Sequence, residues 1–364
     1  MQHKTWIRGI LAAFLIAGLG VPPDAWSARA QQEGPQTQAP PPQAEPPKPL
    51  TGQQPKNPPQ QQAPLHPAVI SVHSTLVNVD TVVTDQDGNL VTGLKRENFR
   101  ILENGQPQQV ATFAPTEAPI TIVVLMEFSK LWGGYFGYKA REWSYGFLNQ
   151  LKPQDWVAFK TFDLRTTIRV DFTQNKNEVQ EAITSLYFPD FSEANLFDAV
   201  YETIDQLRDV QGKKSILILA TGYDTFSKHT LDQILHRLKE SEVTIFCVGM
   251  ASEIDLSGRD SLGYAQAQNQ LNTFARLTGG YAWFPRFQGE MSGISGSVAA
   301  FLRNQYSIGF APSGPPDGRY HKLTVQVVDD QGNPLELVNK KGKKKKVVVI
   351  AREGYTAPSV SAVD

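Results

Sequence analysis

The chain has 364 residues, and its 35 Lys+Arg nearly balance its 36 Asp+Glu, for a formal net charge of −1. Nothing in that balance suggests the basic domain or face a nucleic-acid binder needs, and no nucleic-acid partner is expected. The length leaves room for two or three folding units, and the single cysteine, Cys247, excludes an intrachain disulfide, so stability must come from packed cores.

Lys4 and Arg8 precede an apolar run from Ile10 to Val21, and Ala28-Arg29-Ala30 follows as an A-x-A cleavage pattern. Residues 1–30 are predicted to be a secretory signal peptide, which makes the protein secreted or periplasmic. The alternative is an uncleaved N-terminal anchor. The run is too short to span a bilayer, so no transmembrane span is expected after cleavage. No cysteine lies near the cleavage point, which excludes lipid attachment there. Residues 31–67 are rich in Pro and Gln, as in Pro40-Pro41-Pro42 and Pro58-Pro59. Such a composition builds no core and favours a disordered, extended spacer; a PxxP ligand is the alternative.

Residues 68–117 read as a β segment, with strands at Val69–Val72, Leu76–Val83, Phe99–Leu102 and Gln109–Phe113. Asp85-Gln86-Asp87-Gly88-Asn89 is a turn in which Asp87-Gly88 suits a tight hairpin. Residues 118–304 alternate strands and helices. Strands are expected at Ile120–Met126, Trp156–Phe162, Thr167–Phe172, Ser215–Ala220, Val243–Val248 and Tyr281–Phe284. Helices are expected at Tyr138–Leu151, Lys176–Leu186, Leu196–Val210, Leu231–Glu240, Ala267–Leu277 and Ile294–Arg303. The continuous apolar runs mark strands covered on both faces, and the alternation predicts an α/β fold, a doubly wound Rossmann-type sheet with helices on both sides.

Residues 305–357 return to β patterning, with strands at Tyr306–Phe310, Leu323–Val328 and Val347–Ala351, before a tail at 358–364. The turn Asp329-Asp330-Gln331-Gly332-Asn333 echoes the earlier one. Each β segment is short for a core of its own, so the two are expected to join as one Ig-like sandwich holding the α/β domain as an insert. The run from Lys340 to Lys346 reads as a solvated hairpin tip that discourages edge pairing; a contact to anionic polymer or lipid headgroups is the alternative.

Val123-Val124-Leu125-Met126-Glu127-Phe128-Ser129-Lys130-Leu131 is a core strand running into a loop. Leu196-Phe197-Asp198-Ala199-Val200 opens a helix, Ile216 to Asp224 is a strand ending in a polar loop, and Leu277-Thr278-Gly279-Gly280-Tyr281 precedes the last short strand. In this order the segments resemble the von Willebrand factor A (VWA) domain. The flanks, from Asn78 to Phe113 and from Tyr306 through Asp317-Gly318 to Gly354-Tyr355, resemble a VWFA-related family of acidobacteria, so the resemblance covers about residues 68–357.

The resemblance implies a metal site at the carboxyl edge of the sheet, built from an Asp-x-Ser-x-Ser loop, a Thr and an Asp. Onto those positions fall Glu127, Ser129, Leu131, Ala194 and Thr221. Glu127 keeps the charge but displaces it by a methylene, Ser129 keeps its hydroxyl, Leu131 and Ala194 offer no oxygen, and Thr221 loses a negative charge. Mg²⁺ wants near-octahedral oxygen ligands, so the site is expected to be degenerate and without a cofactor, with weak Mg²⁺ binding as its remnant. Leu131 and Ala194 then suggest an apolar contact edge, with Trp132, Tyr135 and Phe136 as candidate partner-binding residues; ordinary core packing is the alternative. Asp224 reads as a solvated loop charge.

No G-x-S-x-G, H-E-x-x-H or P-loop pattern occurs. His229 and His236 are expected to be solvated, Ser295 misses the nucleophile-elbow pattern, and Cys247 reads as a small buried hydrophobe. The expected function is a non-enzymatic, extracytoplasmic interaction or adhesion module with a protein partner. The alternatives are a metal-dependent adhesion receptor using Glu127 and Ser129, and a hydrolase with an unrecognised site.

Overall fold

The computed structural model describes residues 76–115, 119–132, 143–187, 189–250, 261–285, 289–314, 316–338, 342 and 344–359. The predicted signal peptide, the Pro/Gln-rich spacer and the strand at Val69–Val72 lie outside the described residues. So do residues 138–142 of one predicted helix, the tip residues Lys340, Lys341 and Lys343, and most of the tail.

The described residues begin with four strands, β1 (Val77–Asp85), β2 (Phe99–Glu103), β3 (Gln106–Gln108) and β4 (Val110–Pro115). It then enters the α/β region at β5 (Thr121–Glu127), with α1 over 143–148, β6 (Trp156–Phe162), β7 (Thr166–Thr173), α2 (Lys176–Thr184) and α3 (Leu196–Gln206). β8 (Lys214–Ala220), α4 (Leu231–Glu240), β9 (Thr244–Gly249), α5 (Ser261–Thr278), β10 (Ala282–Trp283) and α6 (Glu290–Arg303) complete it. The chain returns through β11 (Gln305–Phe310), β12 (Tyr320–Val327), β13 (Glu336–Val338), β14 (Lys344–Ala351) and β15 (Gly354–Thr356).

The central sheet has the order β10-β9-β8-β5-β6-β7. β5 pairs parallel with β6 and β8, and β9 pairs parallel with β8 and β10; β7 runs antiparallel at one edge. Every residue of β5 is buried, which is why its sequence is a continuous apolar run rather than an alternating one. Odd positions such as Val123 and Leu125 face α3, α4 and α5, where Val200, Ile234, Leu238 and Phe274 meet them. Even positions such as Ile122, Val124 and Met126 face α1, α2 and α6, against Phe147, Val179, Ile183 and Val298. Each such aliphatic side chain, fully withdrawn from water, contributes roughly 1.5–3 kcal/mol. Among the described residues, no helix is long and apolar enough to cross a membrane.

Both flanking segments build the same two sheets. β1 pairs antiparallel with β11 on one side and β14 on the other, inside the order β13-β14-β1-β11-β4. β2 pairs with β12 in the second sheet, of order β15-β12-β2-β3. Val79, Val83 and Ile101 of the first segment share one buried core with Ile308, Phe310, Leu323 and Val327 of the second. The α/β region is thus an insertion between two halves of one packed unit, and the joint core expected from their shortness is present.

The two echoing turns share the same backbone-to-aspartate bonds. Asp85 Oδ1 accepts from the backbone N–H of Asp87 and Asn89 at 2.8 and 2.9 Å, and Asp329 Oδ1 accepts from those of Gln331 and Asn333 at 3.0 and 2.8 Å. Gly88 and Gly332 both take positive φ. The Asx-type bonds replace the two-residue hairpin expected at Asp87-Gly88, because the aspartate side chain itself closes the loop. Lys345 of β14 pairs with Asp85 and Asp87. Bonding to Asn89, the first of several hydrogen bonds there, holds the Asp85 carboxyl well below the usual carboxylate range. The lysine run is therefore not all solvated tip. Lys344, Lys345 and Lys346 belong to β14, where Lys344 pairs with Glu336 and Lys345 with Asp85.

Candidate functional site at the carboxyl edge of the sheet

The strand–loop junctions after β5 and β8 lie side by side because these strands are parallel neighbours in the middle of the sheet. Glu127 ends β5 with no exposed surface. Its Oε1 accepts from Ser129 Oγ at 2.6 Å, and its Oε2 accepts from the Thr221 backbone N–H and the Thr221 hydroxyl, both at 2.7 Å. Ser129 Oγ in turn accepts from the Leu131 N–H at 3.2 Å, turning the loop back over the strand end. A buried carboxylate tolerates the loss of water only when such donors replace it.

Three loops are knitted around this group. Lys130 N–H donates to the Phe191 carbonyl at 2.7 Å. Ala194 accepts at its carbonyl from Thr225 and Phe226, at 2.8 and 3.2 Å, and its own N–H donates to Thr225 Oγ1 at 2.8 Å. Ala194 is fully buried and Leu131 packs against the same core. The structure therefore corrects the idea of an apolar contact edge at these two positions: Ala194 lies in the interior, and Leu131 is partly buried against the same core. Gly222, with φ +88°, is required here because a Cβ would stand 2.6 Å from the Ala267 carbonyl oxygen.

A second node corrects two readings. Asp224 is half-buried, not a solvated loop charge. Its Oδ1 accepts from the Phe197 N–H at 3.0 Å and from Ser227 Oγ at 2.6 Å, so it caps α3, whose N-cap Asn195 makes no side-chain cap of its own. Burial pushes the Asp224 carboxyl up from its ordinary value, against the Ser227 and Phe197 hydrogen bonds. His229 is likewise not a solvated histidine. Its Nδ1 lies 2.6 Å from Asp198 Oδ1, and its ring stacks on Tyr201 at 4.0 Å. Burial raises the Asp198 pKa, but the Lys228 and His229 backbone N–H groups and the His229 ring outweigh it and the net shift is downward. The loop from Thr221 to Thr230 is thus stapled to the first turn of α3.

Of the candidate partner residues, Trp132 lies in the short 3-10 turn Lys130–Trp132, and its side chain is outside the description; Tyr135 and Phe136 lie outside the described residues. Among the exposed aromatics of the described loops are Phe191 and Phe226, 36% and 58% exposed. Neither was singled out from sequence, although each is a lone hydrophobe inside a polar turn, Pro189-Asp190-Phe191-Ser192 and Asp224-Thr225-Phe226-Ser227. The other candidates resolve simply. Ser295 is buried in α6 and bonds back to the Met291 carbonyl, Cys247 is buried in β9 where desolvation pushes its thiol up, and His236 is exposed beside Glu240. Among the described residues, no group of three or more His, Cys, Asp or Glu is placed to hold a metal ion.

Residues 122–279 match the model of the von Willebrand factor type A domain. The chain carries a VWA domain over that span, and the sheet order and flanking helices are those of a VWA-like α/β fold. Similar solved structures include the conserved hypothetical protein BatB from Bacteroides thetaiotaomicron, at 13% identity over 51% of this chain and 100% of that one, with a TM-score of 0.39. The vWF domain of the type V pili tip protein Mfa5 from Porphyromonas gingivalis matches at 10% identity over 51% and 96%, with a TM-score of 0.40. A von Willebrand factor type A protein from Catenulispora acidiphila matches at 11% identity over 78% and 75%, with a TM-score of 0.40. No curated protein matches the chain.

Proposed function

We propose that this protein is an exported, non-enzymatic interaction or adhesion module whose VWA edge meets a protein partner by direct surface contact, without a metal ion. The observation that carries the reading is the use made of the Glu127 carboxylate. In a metal site its oxygens would face the cation together with hydroxyl and carboxylate ligands from the neighbouring loops. Here Ser129 and Thr221 donate into the carboxylate, and Leu131 and Ala194 bring carbon where oxygens would be needed. One buried carboxylate and two hydroxyls already turned toward it do not fit the six-oxygen shell of Mg²⁺. The donor set and the group do not fit, and no cofactor is assigned. The signal-like residues 1–30 support export, and the exposed Phe191 and Phe226 give the same edge aromatic contact surface. The non-enzymatic part rests on the Asp198–His229 pair: the nearby Ser227 hydroxyl donates to Asp224 rather than to the imidazole.

Thermal melting of the full chain in Mg²⁺ and Mn²⁺ tests the metal-free mechanism. A ligand that binds only the folded state stabilises it by RT ln(1 + [L]/Kd). Millimolar cation on a millimolar remnant adds only about 0.4 kcal/mol, whereas a micromolar site adds about 4 kcal/mol. The expected result is a shift near the smaller value, and unchanged retention of the immobilised chain on envelope fractions of its source cells in EDTA. A large Mg²⁺ shift lost in Glu127→Gln, or binding abolished by EDTA, overturns the reading and restores the metal-dependent receptor.

A further inference from the structure

The β6–β7 hairpin, the loop carrying Asp190 and Phe191, and α3 line a cavity of about 600 Å³. Cavities of that size hold small molecules or single units of larger ones. Six charged side chains face it: Lys160, Arg165 and Arg169 from the hairpin, with Asp163 at its turn, Asp190 on the loop and Glu202 on α3. Three of each sign leave the cavity without net charge. Yet none of the six forms an ion pair, with each other or with any described residue. Acids and bases stand across an open space instead of closing it.

Lys160 is the most buried of the lining residues, 1% exposed, whereas Arg165, Arg169, Asp190 and Glu202 are exposed. Water screens the exposed charges, so Lys160 dominates the deep end. Its Nζ donates to Thr203 Oγ1 and Gln206 Oε1, at 2.8 and 2.7 Å, and both partners are neutral. Burial pushes its amine down, against the field of Glu202. A buried ammonium that no carboxylate touches is met best by a carboxylate brought in from outside. The Thr166 hydroxyl, also in the lining, is buried and has no hydrogen-bond partner among the described residues. The β6–β7 ladder skips Arg169, passing from Phe159↔Val170 to Lys160↔Ile168. Such an extra residue re-aims side chains beside a site.

We propose that this cavity binds one unit of an acidic saccharide of the hexuronate class, with its carboxylate at Lys160. Every sugar hydroxyl both donates and accepts, so one ring can answer the unpaired acids and the unpaired guanidinium groups together. The apolar face of the ring suits the exposed Phe191. A doubly negative ion would find no net charge to meet. Phe191 also stands on the edge assigned to protein contact, but the saccharide site does not rest on that reading.

The test is calorimetric titration of the full chain with the methyl glycosides of glucuronic and galacturonic acid, each beside its neutral parent, and with the N-acetyl amide of glutamate. Saturable binding of at least one uronate is expected, at least about tenfold tighter than its parent, the worth of one charge-assisted hydrogen bond. Lys160→Met should bring that uronate down to the level of the parent sugar, without lowering the melting temperature. An unchanged melting temperature separates a lost contact from a lost fold. Phe191→Ser should weaken the uronate several-fold. No saturable heat with either uronate overturns the proposal. So does equal affinity for uronate and parent, or an unchanged uronate affinity in Lys160→Met. Tighter binding of the glutamate amide than of both uronates also overturns it, and assigns the cavity to a peptide carboxylate.

Discussion

Thr221 gives both its backbone N–H and its hydroxyl to one carboxylate oxygen of Glu127, each at 2.7 Å. The position is the one at which the VWA resemblance implies an aspartate. A carboxylate there would face the Glu127 carboxylate with no cation between them. Threonine turns that repulsion into two donors and ties the end of β8 to the end of β5. Thr221→Val is expected to cost about 1.5–3 kcal/mol, the loss of a hydrogen bond to a buried charged group, read as a lower denaturation midpoint.

Thr221→Asp should cost more than Thr221→Val at neutral pH, because two carboxylates then share one buried site and the pKa of one is driven up. The sign follows from linkage: with that pKa raised in the folded state, folded protein binds more protons than unfolded protein, so stability falls as pH rises. The gap between the two variants should narrow on acidification from pH 8 to pH 5. Denaturant curves at both values check it, and a constant gap would show that the charges do not meet.

Asp224→Ala removes the carboxylate that caps α3 through the Phe197 N–H. Loss of a cap costs about 1 kcal/mol. Hydrogen exchange should report the loss at the Phe197 and Asp198 amides and along the Thr221–Thr230 loop, with little change in β5 and β8.

Lys160 on β6 is 1% exposed and donates to Thr203 Oγ1 and Gln206 Oε1 at 2.8 and 2.7 Å. Burial pushes its amine down to about 8. Between that value and the ordinary value of about 10.5, unfolded protein holds the proton and folded protein releases it, so stability rises with pH in that window. The penalty is fully present below pH 8. Lys160→Met should therefore be more stable than wild type at pH 7, and the advantage should shrink toward pH 10. Melting curves across that range check the slope.

Phe191 and Phe226 stand on loops whose backbones, not whose rings, hold the fold together. Changing both to Ser should move stability by no more than about 0.5 kcal/mol per site. Retention of the chain on envelope fractions should drop in the same variant. Full retention would remove these aromatics from the contact surface.

The sheet was legible because its strands are buried on both faces: the runs at Val123, Ile216 and Ile245 admit no other placement. The flanking core was legible from shortness and matching turns. Less legible were β3, β13 and β15, edge strands of three residues each, too short to show an alternating pattern. α5 begins at Ser261, six residues before its expected start, because Ser261 to Gln266 carries no apolar periodicity to announce it. At the site, the identity of each ligand-position residue was readable. What those residues do was not: Leu131 and Ala194 pack inward, and the Asp198–His229 and Asp224–Phe197 bonds join residues about thirty positions apart, beyond any local pattern.

Thr81 pairs with Tyr306 on one side and with Ala351 on the other. Neither partner has been synthesised when β1 leaves the ribosome, and the whole insert must follow before either appears. Closing so long a loop is entropically slow, so the α/β domain, whose parallel strands are linked through local helices, is free to form first. Until then β1 presents two unpaired edges of a valine-rich strand, the configuration most exposed to pairing with the wrong chain. Assembly of the flanking sheets is therefore the late and vulnerable step in the birth of this molecule, and the order in which its parts fold is the reverse of the order in which they enclose one another.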